Sequence, residues 1–191
     1  MIYVKDNFLD KELFELLNKN LNNFKEVKTP GKSFWVQEPD KDFIKYVVAK
    51  LSVIENCKIE NILCFFREAK QNQDNDWRIH NDTIINNQQP DRAVVLYMSD
   101  SNMDSLNGTA LWEHKKYGDQ YNNNSIEEFN RLLIEDANDE SKWNLKTIIG
   151  SKENRLISYP CNYFHSKYPN EFINSRKVFV MFYKIKQYER K

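Results

Sequence analysis

From residue 58 onward the chain is built of short runs rich in β-branched and aromatic residues: IENILCFFREA, RAVVLYMSD, GTALWEH, ENRLISYP and SRKVFVMFYKIK. Each is bounded by Asn, Asp, Ser, Gly or Pro, the residues that end strands and turn chains. Several such runs without regular helices between them predict antiparallel β structure, a sandwich or a barrel. One interruption is helical. In SIEEFNRLL, Ser125 and Glu128 have the spacing of a capping box and precede Phe129, Leu132 and Leu133, which predicts a helix over 125–137.

The first 57 residues read differently. IYVKDNF and SFWVQ are strand-like. Asp10 is placed to cap a helix that carries Leu13, Phe14, Leu16, Leu17 and Leu21 on one face. Asp40 is placed to cap a second helix, with Phe43, Ile44, Val47, Val48, Leu51 and Ile54 at helical spacing. A length of 191 residues, without an internal repeat or a linker, predicts one domain over 1–191. Within it, 1–57 is a helical support region and 58–191 a β core with an insert at 119–147.

Lys plus Arg and Asp plus Glu each total 28, so no net field draws duplex nucleic acid or an anionic membrane. The 24 Asn residues are scattered and hydrophobic runs persist between them, which excludes a disordered polar tract. Cys57, Cys64 and Cys161 form no CxxC pair and have apolar neighbours, as buried thiols do. The opening MIYVKDNFLDKELF lacks the basic start and apolar run of a signal peptide. No stretch approaches the ~18–20 apolar residues of a membrane span. The expectation is a soluble cytoplasmic protein.

The stretch DWRIHNDTII places His80 and Asp82 one residue apart between a tryptophan and two isoleucines. On an extended segment both side chains leave the same face, so two metal-ligating groups point together. The chain has only three histidines, so the third ligand is His114 or His165. His114, in LWEHKKYG, reads as an exposed strand end. His165, in SYPCNYFHSKYPNEF, follows a strand and a proline turn, and Arg176 comes eleven residues later at the head of RKVFVMFY. An arginine that leads a strand into a β core suggests an anion at its mouth. The plainer reading of Arg176 is a structural ion pair, and the plainer reading of Tyr97 and Trp112 is core. Arg67, Arg92 and Arg155 border strands and suit ordinary ion pairs.

The order His80-x-Asp82, His165, Arg176 resembles that of the iron(II)- and 2-oxoglutarate-dependent dioxygenases, the prolyl-4-hydroxylase-like branch in particular. YVKDNFLDKELFELLNKNL looks like that branch's opening strand and helix, HND matches its HxD, and RAVVLYMSD resembles the next strand, with its tyrosine. NGTALWEHKKYG is similar to the glycine-led GG-x-L strand, with Asn107 in place of one glycine. NRLISYPCNYFHS and SRKVFVMFYK resemble the strands of the last histidine and the arginine.

The resemblance implies a double-stranded β-helix (jelly roll), mainly β, with the N-terminal helices packed outside. It implies Fe(II) on His80, Asp82 and His165, with 2-oxoglutarate and O₂ as cosubstrates. Two imidazoles and one carboxylate leave positions open on Fe(II), whereas structural zinc takes a closed shell. Arg176 would take the far carboxylate of 2-oxoglutarate in a bidentate fork, and Tyr97 would hydrogen-bond the cosubstrate. By their places in the chain around the HxD site, and apart from the resemblance, Arg67 and Trp112 are the candidates to contact the substrate. The implied activity is hydroxylation of a C–H bond in a small molecule or peptidyl residue, with release of succinate and CO₂. Halogenation is disfavoured, because halogenating relatives replace the carboxylate and Asp82 is present. Two other classes stay open: a non-catalytic jelly-roll binding module and a cupin-type metal-dependent isomerase or hydrolase. Segments 99–108 and 119–147 are the expected walls of the cleft.

Overall fold

The structure is a computed structural model and describes residues 1–29, 32–70, 78–99, 107–121, 125–169 and 175–186. In chain order its elements are β1 (Tyr3–Lys5), α1 (Lys11–Asn20), β2 (Lys25–Thr29), β3 (Lys32–Gln37), α2 (Lys41–Glu55), β4 (Lys58–Ala69), β5 (Arg92–Tyr97), β6 (Gly108–His114), α3 (Ile126–Arg131), β7 (Trp143–Gly150), β8 (Leu156–Pro160), β9 (His165–Tyr168) and β10 (Arg176–Lys186). Seven strands form a large sheet in the order β1-β8-β5-β10-β4-β3-β2, and three form a small one, β7-β6-β9. Every pairing is antiparallel, as the turn-bounded runs predict. This is the mainly β jelly roll with flanking helices. None of its described helices is long and apolar enough to cross a membrane.

The central strands of the large sheet are apolar along most of their length because both faces are covered. Phe179, Met181 and Tyr183 of β10, with Cys64 and Phe66 of β4 and Val94 and Leu96 of β5, face the helices and pack on Phe14, Leu17, Phe43, Val47 and Leu51. The alternate residues, Val178, Val180 and Phe182 with Leu63, Phe65, Val95 and Tyr97, point into the barrel. A third cluster, with Ile79, Ala110, Trp112, Leu132, Trp143 and Phe164, backs the small sheet.

The α2 cap forms as expected, with Asp40 Oδ1 accepting from the Phe43 amide at 2.7 Å. Asp10 makes no such cap on α1. Its carboxylate instead accepts from the Tyr46 hydroxyl (2.9 Å) and Lys50 Nζ (3.4 Å), which ties α1 to α2. At the other end of α2, Glu55 joins Arg92 (2.9 Å) and the Tyr183 hydroxyl (2.7 Å), and Arg92 Nε also donates to Ser158 Oγ. Arg92 and Arg155 thus make the ion pairs expected of them. All three cysteines are free thiols, Cys57 and Cys161 buried and Cys64 half-buried.

The insert is helical over the stretch its pattern suggests, with α3 continued by a π-helical turn. Ser125 Oγ accepts from the Glu128 amide (3.2 Å) as the capping box predicts, and the Glu128 carboxylate also accepts from Tyr117 and Lys116. After Arg131 the helix loosens into a π-helical turn over Leu132–Asp136. Residues 143–147, assigned to the insert from sequence, belong to β7.

Gly108 is required by close approach: a Cβ there would overlap the Ile149 carbonyl oxygen across the β6–β7 pair. Gly108→Ala is expected to destabilise by about 1–3 kcal/mol, measured by denaturant unfolding. Gly150→Ala, where the added carbon meets only Arg155 Nη1 at 3.9 Å, serves as the control.

Asp6 accepts from Arg155 Nε (2.6 Å) and Nη2 (3.1 Å) and from Lys152 Nζ (3.0 Å), which pins the segment after β1 to the β7–β8 turn. The Arg155 and Lys152 hydrogen bonds hold its carboxyl far below the ordinary 3.8. Its contribution is therefore present above pH 3.8 and fades as pH falls below that value. The Asp6 side chain is 36 % exposed, so solvent screening limits the contribution to about 1 kcal/mol. Urea midpoints of wild type and Asp6→Asn should differ at neutral pH and draw together in acid.

Candidate metal centre

The segment holding His80 and Asp82 joins the small sheet through backbone pairing. His80 N donates to His165 O (3.0 Å), His165 N donates to His80 O (2.8 Å), and Asp82 N donates to Cys161 O (2.8 Å). Two histidines 85 positions apart in the chain thereby become cross-strand neighbours, with ring centroids 4.5 Å apart. Alternation then turns Asp82 to the same face as His80. His165 Nε2 lies 3.1 Å from Asp82 Oδ2, and His80 Nε2 lies 3.7 Å from Asp82 Oδ1. One ligating atom from each residue falls within 4.8 Å of the others, and among the described residues no other such group occurs.

Both rings are oriented from behind. The Nδ1 atoms of His80 and His165 bond to the carbonyls of Arg78 (2.7 Å) and Tyr163 (3.0 Å), so each ring carries its Nδ1 proton there and turns Nε2 inward. Arg78 adopts a φ of +37°. A non-glycine residue in that region is strained, and here its carbonyl is aimed at the first ligand. The Arg78 amide is taken by Asn138 Oδ1 (2.8 Å) and the Ile79 amide by Ala137 O (2.9 Å).

Charges follow from the packing. Although the His80 side chain is 38 % exposed, burial of the rest and the neighbouring His165 push it down to about 4, so it is neutral. Burial opposes the charged form of Asp82, but the His165 charge and hydrogen bond outweigh it and hold the carboxyl below its ordinary range. Burial likewise opposes protonation of His165, and Asp82 more than offsets this, raising it. Asp82 and His165 thus each favour the other's charged form, with a neutral imidazole beside them. Tyr159 packs on His165 with ring centroids 4.8 Å apart. Burial and then the Asp82 charge push its hydroxyl well above the usual range, so it stays neutral.

The cluster opens into a cavity of about 480 Å³ between the two sheets. Arg176 lines the cavity and is buried, donating from Nη1 to Gly108 O at 2.8 Å, with its guanidinium 5.1 Å from the Tyr97 ring centroid. Burial first, and the nearby Arg67 as well, lower its pKa. Tyr97 itself does not open onto the cavity. It is fully buried beneath Arg176, and its hydroxyl shares a 2.8 Å hydrogen bond with Thr109, which does line the space. Arg67 lines the cavity too, over the Phe34 ring at 4.8 Å.

Other expected residues fall elsewhere. Trp112 belongs to the cluster behind the small sheet, its indole donating to Ser166 Oγ (2.9 Å), and it does not reach the cavity. His114 is not an exposed strand end. It is buried between Tyr117 and Trp143 and bonded to Asp136 (3.2 Å), away from the other histidines. No described residue of 119–147 lines the cavity, and the insert instead props the His80 segment through Ala137 and Asn138. Of the expected wall 99–108, residues 100–106 lie outside the described residues. Thr109, Tyr159, Lys167 and Phe34 line the cavity without having been anticipated. Lys167 was within reach, since it follows His165 by two on a strand and so shares its face.

No family model matches the chain, and no curated protein does. Solved structures do. A Pseudomonas putida prolyl-4-hydroxylase superposes at a TM-score of 0.57 with 11 % identity, covering 97 % of this chain and 92 % of that one. Streptomyces hygroscopicus HygX, solved with nickel, 2-oxoglutarate and hygromycin B, gives 0.61 and 9 %, covering 96 % and 82 %. The viral collagen prolyl hydroxylase of Paramecium bursaria Chlorella virus-1, solved as a 2-oxoglutarate complex, gives 0.53 and 10 %, covering 97 % and 96 %. Over nearly its whole length the chain has the double-stranded β-helix fold that these 2-oxoglutarate-binding enzymes and prolyl hydroxylases share.

Proposed function

We propose that the protein is an iron(II)- and 2-oxoglutarate-dependent dioxygenase that hydroxylates a C–H bond of a small molecule or peptidyl residue. The observation that carries this reading is the pairing, in one cavity, of a His80–Asp82–His165 cluster with a buried arginine, Arg176, beside it. Neither feature alone distinguishes this from a binding module or a metal-dependent isomerase. A metal flanked by a fixed guanidinium suits a cosubstrate with an acid at each end.

The residues fit such a metal. Ligand atoms around a first-row ion with bonds of about 2.1 Å are about 3 Å apart when adjacent, close to the 3.1 Å between His165 Nε2 and Asp82 Oδ2. Both imidazoles present Nε2 because backbone carbonyls hold Nδ1. One carboxylate and two nitrogens form the facial set that suits iron(II) and leaves positions open. Loaded with iron(II), 2-oxoglutarate and O₂, a site of this kind converts the cosubstrate to succinate and CO₂ and hydroxylates a C–H bond.

The chain's own groups do the rest. Arg176, aimed by Gly108 O and backed by Tyr97, binds the far carboxylate, and the Thr109 hydroxyl stands beside it. Val95, Val178, Val180 and Phe182 form an apolar wall that keeps water from the cosubstrate's chain. Support for a cytoplasmic setting comes from the free thiols of Cys57, Cys64 and Cys161.

Calorimetric titration with Mn(II) as surrogate should give one site in wild type and in Asp136→Asn. Affinity should fall at least tenfold in His80→Ala, Asp82→Ala and His165→Ala, as about 1.4 kcal/mol or more of ligand energy is lost. Undiminished affinity in those three would sink the assignment.

Arg176→Met should keep Mn(II) affinity and lose about 2–5 kcal/mol of 2-oxoglutarate binding, a weakening of roughly 30- to several-thousand-fold. Arg176→Lys should recover only part, because lysine lacks the fork. Wild-type affinity in Arg176→Met would move the anchor elsewhere.

A further inference from the structure

The two ends of the cavity carry different polar groups. β8 pairs with β5 and β5 with β10, so Tyr159, Ala93 and Phe182 stand at one level of the large sheet. Arg176 lies six positions before Phe182, about 20 Å of strand away. The HxD segment is at the Tyr159 end, since Asp82 N donates to the carbonyl of Cys161, two residues past Tyr159. Tyr159 therefore belongs with the metal cluster rather than with the arginine.

Hydrogen-bond donors are scarce at that end. With a metal bound, His80 and His165 give Nε2 to the ion and keep their Nδ1 protons on the Arg78 and Tyr163 carbonyls. Asp82, as a carboxylate, only accepts. Ser166 Oγ already donates to Lys167 O and accepts from Trp112 Nε1. Thr109 and Lys167 are opposite one another in the β6–β9 pair, one step from Gly108, and so stand towards Arg176. The Tyr159 hydroxyl is what remains. Tyr159 is 2 % exposed, lines the cavity and rests its ring against His165. No hydrogen bond to its hydroxyl occurs among the described residues.

We propose that Tyr159 is a cosubstrate-binding residue, its hydroxyl donating to the carboxylate that the 2-oxo acid presents at the metal. The assignment rests on the oxygenase reading above. It gives each acid group of 2-oxoglutarate its own partner, Tyr159 at the metal end and Arg176 at the far end. A metal-bound carboxylate keeps lone pairs that the ion does not use, and an unanswered acceptor in a buried site is costly. A phenol answers it without placing a further charge beside Asp82. Tyr97 is no substitute, because it is covered by Arg176 and engaged by Thr109.

The test uses the Mn(II)-loaded protein and two ligands. 2-Oxoglutarate is titrated by calorimetry, and 2-oxopentanoate, which lacks the far acid, is measured by its displacement of 2-oxoglutarate. Tyr159→Phe removes the hydroxyl and keeps the ring on His165. Both ligands should weaken by about tenfold or more, the loss expected for one hydrogen bond to a charged group, and the two factors should agree within about threefold. Mn(II) affinity should stay within about twofold of wild type. The assignment is overturned if Tyr159→Phe binds both acids as wild type does. It is overturned too if the loss is confined to 2-oxoglutarate, which puts the hydroxyl at the far acid, or if Mn(II) affinity falls in step, which makes Tyr159 a support for His165. In those cases wild type still binds 2-oxoglutarate and the oxygenase reading stands. Should Mn(II)-loaded wild type fail to bind 2-oxoglutarate, that reading falls and the Tyr159 assignment falls with it.

Discussion

The reciprocal pair of backbone hydrogen bonds between His80 and His165 is the joint on which the centre depends. It adds the HxD segment to the edge of the small sheet and sets two imidazoles side by side across a long stretch of chain. Asp82 needs no separate positioning, since it is two residues along the same extended segment. The side chains add orientation, through Nδ1 bonds to two carbonyls, and charge, through the Asp82–His165 pair. A lone buried imidazolium or carboxylate would be costly, and here each offsets the other. The three ligand atoms thus lie together, within 4.8 Å of one another.

Around that joint the barrel divides its labour. The large sheet is a floor: helices fill one face, and the other presents alternating side chains to the cavity. The small sheet contributes His165, Lys167 and Thr109 from the opposite side. Arg176 reaches across, because its Nη1 is bonded to Gly108 O at the start of β6. A glycine leads β6 for a steric reason, since a Cβ there would overlap the Ile149 carbonyl. The strand must approach β7 without a side chain in the way, and its carbonyl must stay where the guanidinium meets it.

Much of this was legible in the sequence. The antiparallel runs, both helices and the His80–Asp82–His165–Arg176 order follow from periodicity, capping residues and a recognised resemblance, because each is written locally in side-chain type. What was missed depends on partners distant in sequence. Asp10 has the chemistry of a cap, but a tyrosine and a lysine of α2 compete for its carboxylate. β2, KEVKT, is charged on an edge and has little apolar signature. β7 was hidden by its exposed residues Asn144 to Thr147, which read as loop. Trp112 and Tyr97 were placed by chain position, and a one-residue alternation decides whether such a residue sees the cavity or the space behind it. Tyr97 faces inward yet is covered by Arg176, which no pattern along one strand reveals.

The buttress behind the metal segment has an evolutionary consequence. One of its two contacts is made by a main-chain carbonyl, that of Ala137, and the other by a short amide side chain, Asn138. Contacts of this kind depend on the path of the chain far more than on side-chain identity. Leu132 anchors that path in the cluster behind the small sheet, while neighbours such as Ile134 stand in solvent, 79 % exposed. The solvent-facing positions of this stretch, Ile134 among them, can therefore change without disturbing the ligands, whereas Ser125, Glu128, Leu132 and Asp136 are held by side-chain contacts of their own.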